Sequence, residues 1–281
     1  MRLILNKILF ICCFCLFLNS CSSFKDIFSS DSKSSEEAEY ADWTADKFRS
    51  EAKKMVNNSN YEKAIKLYQA LESRYPFGED SAQTELDIAY AYFKNNEPES
   101  AIAAADRFIK INPRSSAIDY AYYLKGLVNY NRGISFIDRF LPTDTSQRET
   151  GSAADAIKNF EDLIERFPNS KYIADSRLRM ISLKNNLAMH EIHIARYYNK
   201  RHEYVAAVNR ATTVIEKYQR TPAVPYALLA LNEAYINLNQ VELASDVKRV
   251  YDLNYPSGPP ILEQSTSTIS HKIWDFIGLE K

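Results

Sequence analysis

Glycine is scarce in this sequence, with 6 residues among 281, and neither charge dominates, since 35 basic residues stand against 36 acidic ones. So little glycine argues against enzymes with glycine-rich phosphate-binding loops and against all-β sandwiches or barrels. The balanced charge excludes a broad basic surface for nucleic acid. Aromatic residues make up 12% of the chain, which is too many for a disordered protein.

The four cysteines all lie within the first 21 residues, so the rest of the chain has no internal disulfide. There, Arg2 and Lys7 precede an apolar run over residues 8–18. Its 11 residues fall short of the roughly 20 that a membrane-spanning helix needs. A charged start, an apolar centre and a small polar end are typical of a secretory signal, which we predict over residues 1–20.

The end of this signal, Leu18-Asn19-Ser20-Cys21, is similar to a bacterial lipobox and predicts lipidation of Cys21. An ordinary cleavage site beside a chance cysteine is the alternative. Two or three acyl chains would anchor the protein firmly, whereas one chain holds only weakly. By the same resemblance, Ser22 implies sorting to the outer membrane. Residues 21–39 then form a flexible, serine-rich tether.

One helical pattern recurs five times after the tether. Each copy has a small residue, a large residue seven positions later on the same helix face and, in four copies, a proline that stops the helix. The small residues are Ala64, Ala101, Ala156, Ala207 and Ala244, the large ones are Leu71, Phe108, Leu163, Val214 and Tyr251, and the prolines are Pro76, Pro113, Pro168 and Pro256. We number the repeating units one to five by these alanines.

A further helical segment precedes each copy, so the pattern predicts helix pairs. Pairs with a period in the mid-thirties that end in proline are similar to tetratricopeptide repeats. We therefore predict an all-α fold, a tetratricopeptide-repeat superhelix of about five helix pairs over residues 40–256. Unit four has room for one long helix from Tyr172 to near Asn199. An insert over residues 131–151 either projects on a binding face or caps a gap.

Sequence motifs of catalysis are lacking. No GxSxG, P-loop or HExxH motif occurs, and no cysteine follows Cys21. His190 and His193 share a helix face, but no third ligand lies near them in sequence, so solvated or partly packed histidines are the better interpretation. We predict a protein without enzyme activity, metal or cofactor.

A stacked helix array offers a binding surface instead, because the first helices of successive pairs line a groove that holds extended peptides. Tyrosine suits such a groove, since its ring is apolar and its hydroxyl forms hydrogen bonds. The alternative is that several of these rings fill the packing between repeats. The predicted groove residues are Leu86, Tyr90, Phe93, Tyr120, Tyr123 and Leu127.

Five segments of the chain resemble the BamD family of outer membrane lipoproteins. They are RYPFG (74–78), RFIKINP (107–113), DYAYYLKGLVNY (119–130), FPNSKY (167–172) and ARYYNKRHEYVAAVNR (195–210). The resemblance implies a lipid-anchored scaffold of the β-barrel assembly machinery that faces the periplasm. Its implied partners are the POTRA domains of BamA, other Bam lipoproteins and unfolded outer membrane proteins. It points to Arg210 as a contact with BamA. The alternative is a repeat lipoprotein that serves peptidoglycan synthesis enzymes.

The tail over residues 257–281 departs from the short ending of that family. After Pro259-Pro260 it carries Ile269, Ile273, Trp274 and Ile277 at helical spacing. Such a segment either docks on the last repeat as a cap or binds a partner or a membrane surface. The sequence leaves these alternatives open.

Overall fold

Ten helices follow one another in the computed structural model, which describes residues 40–77, 80–132 and 150–260. These residues contain no strand, and their helices form five consecutive pairs, which confirms the predicted all-α class and the number of pairs. The helices are α1 (Ala45–Asn57), α2 (Tyr61–Arg74), α3 (Ser81–Lys94), α4 (Pro98–Ile111), α5 (Ile118–Arg132), α6 (Gly151–Arg166), α7 (Ile173–Lys200), α8 (Tyr204–Lys217), α9 (Val224–Asn237) and α10 (Val241–Asn254).

The second helix of a unit ends two residues before the proline that marks its end in the sequence. In unit one, for example, α2 ends at Arg74 and Pro76 follows. The intervening Tyr75 has φ −128° and ψ 58°, outside the helical region. A residue before proline avoids the helical conformation, because the proline ring clashes with its backbone. The proline therefore ends the helix by keeping the residue before it out of the helical conformation.

The turn inside four of the five pairs contains one residue with a left-handed backbone. It lies five positions before the small alanine of its unit in every case, so the geometry repeats along with the sequence. These residues are Ser59, Asn96, His202 and Asn239, with φ angles between 57° and 63°. Asparagine tolerates this conformation better than most residues with a side chain, which explains two of the four.

The small alanines lie where helices approach most closely. Ala64, Ala101, Ala156 and Ala207 are fully buried, and Ala244 is nearly so. Each helix packs on the next one in the chain, and the first helices of units two to five also contact one another in succession. A methyl side chain at these positions lets the backbones come together, as the repeated pattern requires.

Two features of units four and five depart from the repeat. The first helix of unit four, α7, extends over 28 residues, in agreement with the predicted long helix. In unit five, Asn232 takes a position where the repeat has a small residue. Its Nδ2 donates a hydrogen bond to the Ala244 carbonyl at 2.9 Å, so the larger polar side chain is satisfied between α9 and α10.

Several predictions concern residues outside the described ones. The signal peptide, Cys21 and the tether belong to residues 1–39, most of the insert to 133–149, and most of the tail to 261–281. Among the helices that are described, none has both the length and the apolar character needed to cross a membrane.

Candidate functional site

An open cavity of about 660 Å³ lies where units two, three and four meet. Its volume is within the range of about 300–1,000 Å³ that is common for ligand sites. The walls come from the predicted groove side, namely α3, the start of α5 and the turn before α7. They are formed by Gln83, Leu86, Asp87, Tyr90, Ser116, Ala117, Asp119, Tyr120, Asn169, Ser170, Lys171 and Tyr172.

The turn before α7 is held against α5 by a side-chain contact. Ser170 Oγ donates a hydrogen bond to Asp119 Oδ2 at 2.7 Å, and the same Oγ accepts one from the backbone N–H of Tyr172 at 3.2 Å. Lys171 Nζ lies 5.1 Å from the centre of the Tyr172 ring, in a cation–π contact. This wall of the cavity therefore combines an aromatic ring with a positive charge.

Three tyrosine rings pack together on one side of the cavity. Tyr123 stacks on Tyr172 with ring centres 4.5 Å apart, and Tyr120 lies 5.6 Å from Tyr172. Burial raises the pKa of the Tyr120 hydroxyl well above its usual value, so this group stays protonated at neutral pH. The three rings thus join units three and four, and two of them, Tyr120 and Tyr172, line the cavity.

The hydroxyl of Tyr123 is already engaged within the protein. It donates to Asp175 Oδ2 at 2.6 Å, and Arg179 Nε donates to the same oxygen at 2.6 Å. Burial and the bond to Asp175 raise the pKa of Tyr123 to about 12. Burial, the largest single effect on Asp175, favours its neutral form. The hydrogen bonds from Arg179 and Tyr123 and the Arg179 charge together outweigh it and lower the pKa of Asp175. Tyr123 thus links α5 of unit three to α7 of unit four.

Asp87 supplies an acceptor in the cavity wall. Its Oδ1 accepts a hydrogen bond from Gln83 Nε2 at 2.8 Å. Burial raises the pKa of its carboxyl, and the Gln83 bond and the Lys53 charge oppose that shift. The Tyr68 hydroxyl is near enough to Asp87 to favour its charged form, yet no donor meets Oδ2 with hydrogen-bond geometry. Oδ2 is also buried, so a ligand in the cavity can reach Asp87 only at Oδ1, which already accepts from Gln83.

The other predicted groove residues differ in how far they reach the cavity. Tyr90 lines it and is partly exposed. Leu86 also borders it but is only 2% exposed, because it packs with Phe108 and Ala121 in the core. Phe93 packs beside the core of units two and three, and Leu127 beside that of units three and four. Tyr90 is thus the predicted residue that is freest to contact a ligand.

Arg210, the predicted partner contact, lies on α8 with 45% of its side chain exposed. Its Nη1 contacts both carboxylate oxygens of Glu191 on α7, at 3.2 Å and 3.5 Å. An exposed pair of this kind contributes at most about 1 kcal/mol to stability. His190 and His193 are partly buried on the same helix as Glu191. Within the described residues, no group of three His, Cys, Asp or Glu side chains is arranged to hold a metal ion.

A family model described as an outer membrane lipoprotein (YfiO) matches residues 41–250. The chain belongs to this family. The match extends from the start of the described residues into α10, so it covers all five helix pairs. It confirms the resemblance seen in the sequence.

Relatives named outer membrane protein assembly factor BamD match across the repeats. The Neisseria meningitidis serogroup B protein is 44% identical over 218 residues, which are 78% of this chain and 82% of that protein. The Xylella fastidiosa (strain Temecula1) protein is 33% identical over 205 residues, covering 73% and 70%. Among solved structures, the MamA protein aligns with 75% of this chain and 92% of its own, at 16% identity and a TM-score of 0.33.

Several residues of the cavity escaped the sequence analysis. Asp119, Ser170 and Lys171 come from the ends of elements, and their approach depends on how unit four stacks on unit three. Asp87 could have been placed in the groove from the sequence, because it follows Gln83 by four positions and such residues share a helix face. The ion pair between Glu191 and Arg210 could not be predicted in this way, since the two residues belong to different helices.

Proposed function

We propose that this protein is a non-enzymatic adaptor in the assembly of outer membrane β-barrel proteins. It is anchored by lipid at Cys21 to the outer membrane, faces the periplasm, and binds BamA, companion lipoproteins and unfolded substrates. The open, tyrosine-walled cavity on the first helices is the observation that carries the proposal, since the relatives are named as assembly factors for outer membrane proteins.

The chemistry of the cavity suits an extended polypeptide. Its tyrosine rings can cover apolar side chains, and the polar side chains of Gln83 and Asn169 in its wall can form hydrogen bonds with a peptide backbone. Unfolded β-barrel strands alternate apolar and polar residues and so present both kinds of group. A peptide bound between units two and four would also contact Lys171, which can pair with a carboxylate.

The Tyr90→Ala variant tests the substrate site. Loss of this partly exposed ring should weaken binding of an unfolded outer membrane protein about tenfold, which corresponds to about 1.4 kcal/mol. Binding can be measured with a urea-denatured, fluorescently labelled porin diluted into the purified full-length protein. Tyr197→Ala is the matched control, because Tyr197 is 54% exposed on α7 and does not line the cavity. Equal binding by both variants and the unchanged protein would refute the substrate site.

The contact with BamA is assigned to the exposed side of Arg210. Its guanidinium has five donors, and its contacts with Glu191 involve Nη1, so other donors can meet a carboxylate of a partner. A charged side chain at the edge of two helices is suited to this role because it is already held in place by Glu191.

The Arg210→Glu variant should reduce the BamA retained on the purified protein at least about tenfold, because a like charge replaces the donor. Retention is measured by quantitative blotting after detergent extraction. Glu191→Gln serves as the control, since it removes the internal ion pair and leaves Arg210 in place. If both variants lose BamA equally, the Arg210–Glu191 ion pair only supports the structure of this chain, and Arg210 is not the contact with BamA. Recovery of cell-wall synthases instead of BamA would favour the alternative function.

A further inference from the structure

The turn that joins successive helix pairs recurs after the last pair. In three earlier turns, the backbone N–H of one residue donates to the carbonyl three positions before it, and the next helix begins three positions later. Gly258 makes the same bond to Tyr255 at 3.0 Å. The earlier donors are Ser115, Ser170 and Thr221, and the helices that follow begin at Ile118, Ile173 and Val224. In the sequence, Ile261 follows Gly258 by the same three positions.

This last turn carries the chain back to the beginning of α9. Gly258 has φ 88°, a conformation that residues with side chains rarely adopt, and Pro259-Pro260 follow it. The Tyr226 hydroxyl then donates a hydrogen bond to the Pro260 carbonyl at 2.6 Å. The Arg196 guanidinium of α7 lies over the Tyr226 ring at 5.0 Å. Pro260, the last described residue, therefore lies beside the first turn of α9.

Two apolar residues are exposed along α9. Leu229 and Ile236 have 42% and 59% of their surfaces exposed, and their spacing of seven places them on one face of the helix. In the register of the repeat they correspond to Leu86 and Phe93 of unit two. Leu86 is covered by Ala121 of the following unit. Leu229 is exposed because the described residues contain no unit after the fifth.

The end of the array is not built to accept another complete repeat. In units one to four, the residue four positions after the small alanine is buried. These residues are Tyr68, Ala105, Phe160 and Ala211. In unit five this residue is Lys248, which forms an ion pair with Asp252 at 2.7 Å. A segment that packs on this end of the array therefore needs apolar side chains against α9 and polar side chains near Lys248 of α10.

We propose that the chain's own tail, residues 261–281, packs on this end of unit five and covers Leu229 and Ile236. With a helical rise of about 1.5 Å per residue from Ile261, Ile269 and Ile273 would lie level with Asn232 and Ile236. The polar residues His271, Lys272 and Asp275 supply the other side of the segment. The tail acts as the cap that repeat arrays need at their ends. It lies beyond the region matched by the family model.

Photo-crosslinking in the full-length protein tests the cap. A benzophenone amino acid at position 236 should give an intramolecular product that maps to residues 261–281, and adding Ile273→Asp should lower its yield at least tenfold. The control is the same probe at Val250, which is exposed on α10 together with Leu243 and Leu253 at helical spacing. A product that links position 236 to a second copy or to another protein, or that contains no tail peptide, would overturn the proposal.

Fluorescence gives an independent measurement. The chain has two tryptophans, so Trp43→Phe leaves Trp274 of the tail as the reporter. We expect blue-shifted emission that moves to the solvent-exposed value when Ile236→Asp is added. Emission at the solvent-exposed value before that change would contradict the cap. Either result leaves the substrate cavity of units two to four unaffected, so the two proposals stand or fall separately.

Discussion

Replacing Phe160 with alanine is expected to lower the free energy of unfolding by about 3–5 kcal/mol, the usual cost of removing a fully buried aromatic side chain. Phe160 is 0% exposed, and it packs with Ala156 and Leu183 between units three and four. Denaturant unfolding followed by circular dichroism measures the effect. Phe77→Ala is the control, because Phe77 is 97% exposed and should leave stability almost unchanged. Equal stability of the two variants would contradict the packing.

Gly126 on α5 faces the same ring and permits a sharper test. A Cβ added there would lie 2.3 Å from Phe160 Cε1, so Gly126→Ala should destabilise the protein although alanine favours helices by about 1 kcal/mol. In the Phe160→Ala background the ring is gone, and Gly126→Ala should then stabilise. This reversal of sign in a double-mutant cycle reports direct contact between the two residues. A stabilising effect in both backgrounds would exclude that contact.

The packing around Phe160 between units three and four also affects the proposed site. The Phe160 ring lies 6.2 Å from Tyr123, which stacks on Tyr172 in the cavity wall. A change at Phe160 is therefore expected to loosen the wall as well as the core. Tyr90 lies on α3 of unit two and does not belong to the packing between units three and four. It is therefore the better position for testing binding without loss of stability.

The helices could be predicted from the sequence because their signals are local. Ala101 and Pro113 mark one second helix through close packing and a blocked continuation, and neither needs knowledge of the rest of the chain. The left-handed residues in four of the turns were not predicted, although Asn96 and Asn239 are residue types that favour this conformation. A search at a fixed distance from each alanine would have found these two.

The site could be predicted only in part, because its contacts cross between units. The sequence places Tyr90 and Tyr123 at equivalent groove faces but cannot tell that Tyr123 bonds to Asp175, 52 residues later. Nor does it show that Leu86 is covered by unit three. Which rings pack and which stay open depends on the stacking of units, and no short sequence pattern records that stacking.

Replacing Cys21 with serine is expected to abolish incorporation of labelled palmitate and to remove the protein from the outer membrane fraction. A single acyl chain gives only weak, reversible membrane binding, with an association constant of about 10⁴ M⁻¹, so firm anchoring needs the two or three chains that a modified terminal cysteine carries. Metabolic labelling followed by membrane fractionation measures both effects. Cys15→Ser, a change within the apolar run, is the matched control and should keep the label.

Loss of this anchor is expected to displace the whole repeat array. The start of the array is fixed by an aromatic cluster, in which the Tyr40 and Trp43 ring centres lie 4.8 Å apart, and by Arg74, which donates to the Tyr40 carbonyl at 2.8 Å. The 19 residues of the tether, 21–39, span at most about 65 Å, so lipid at Cys21 would keep the first unit within that distance of the membrane. Palmitate in the Cys21→Ser protein, or its absence from the unchanged one, would rule out this anchor.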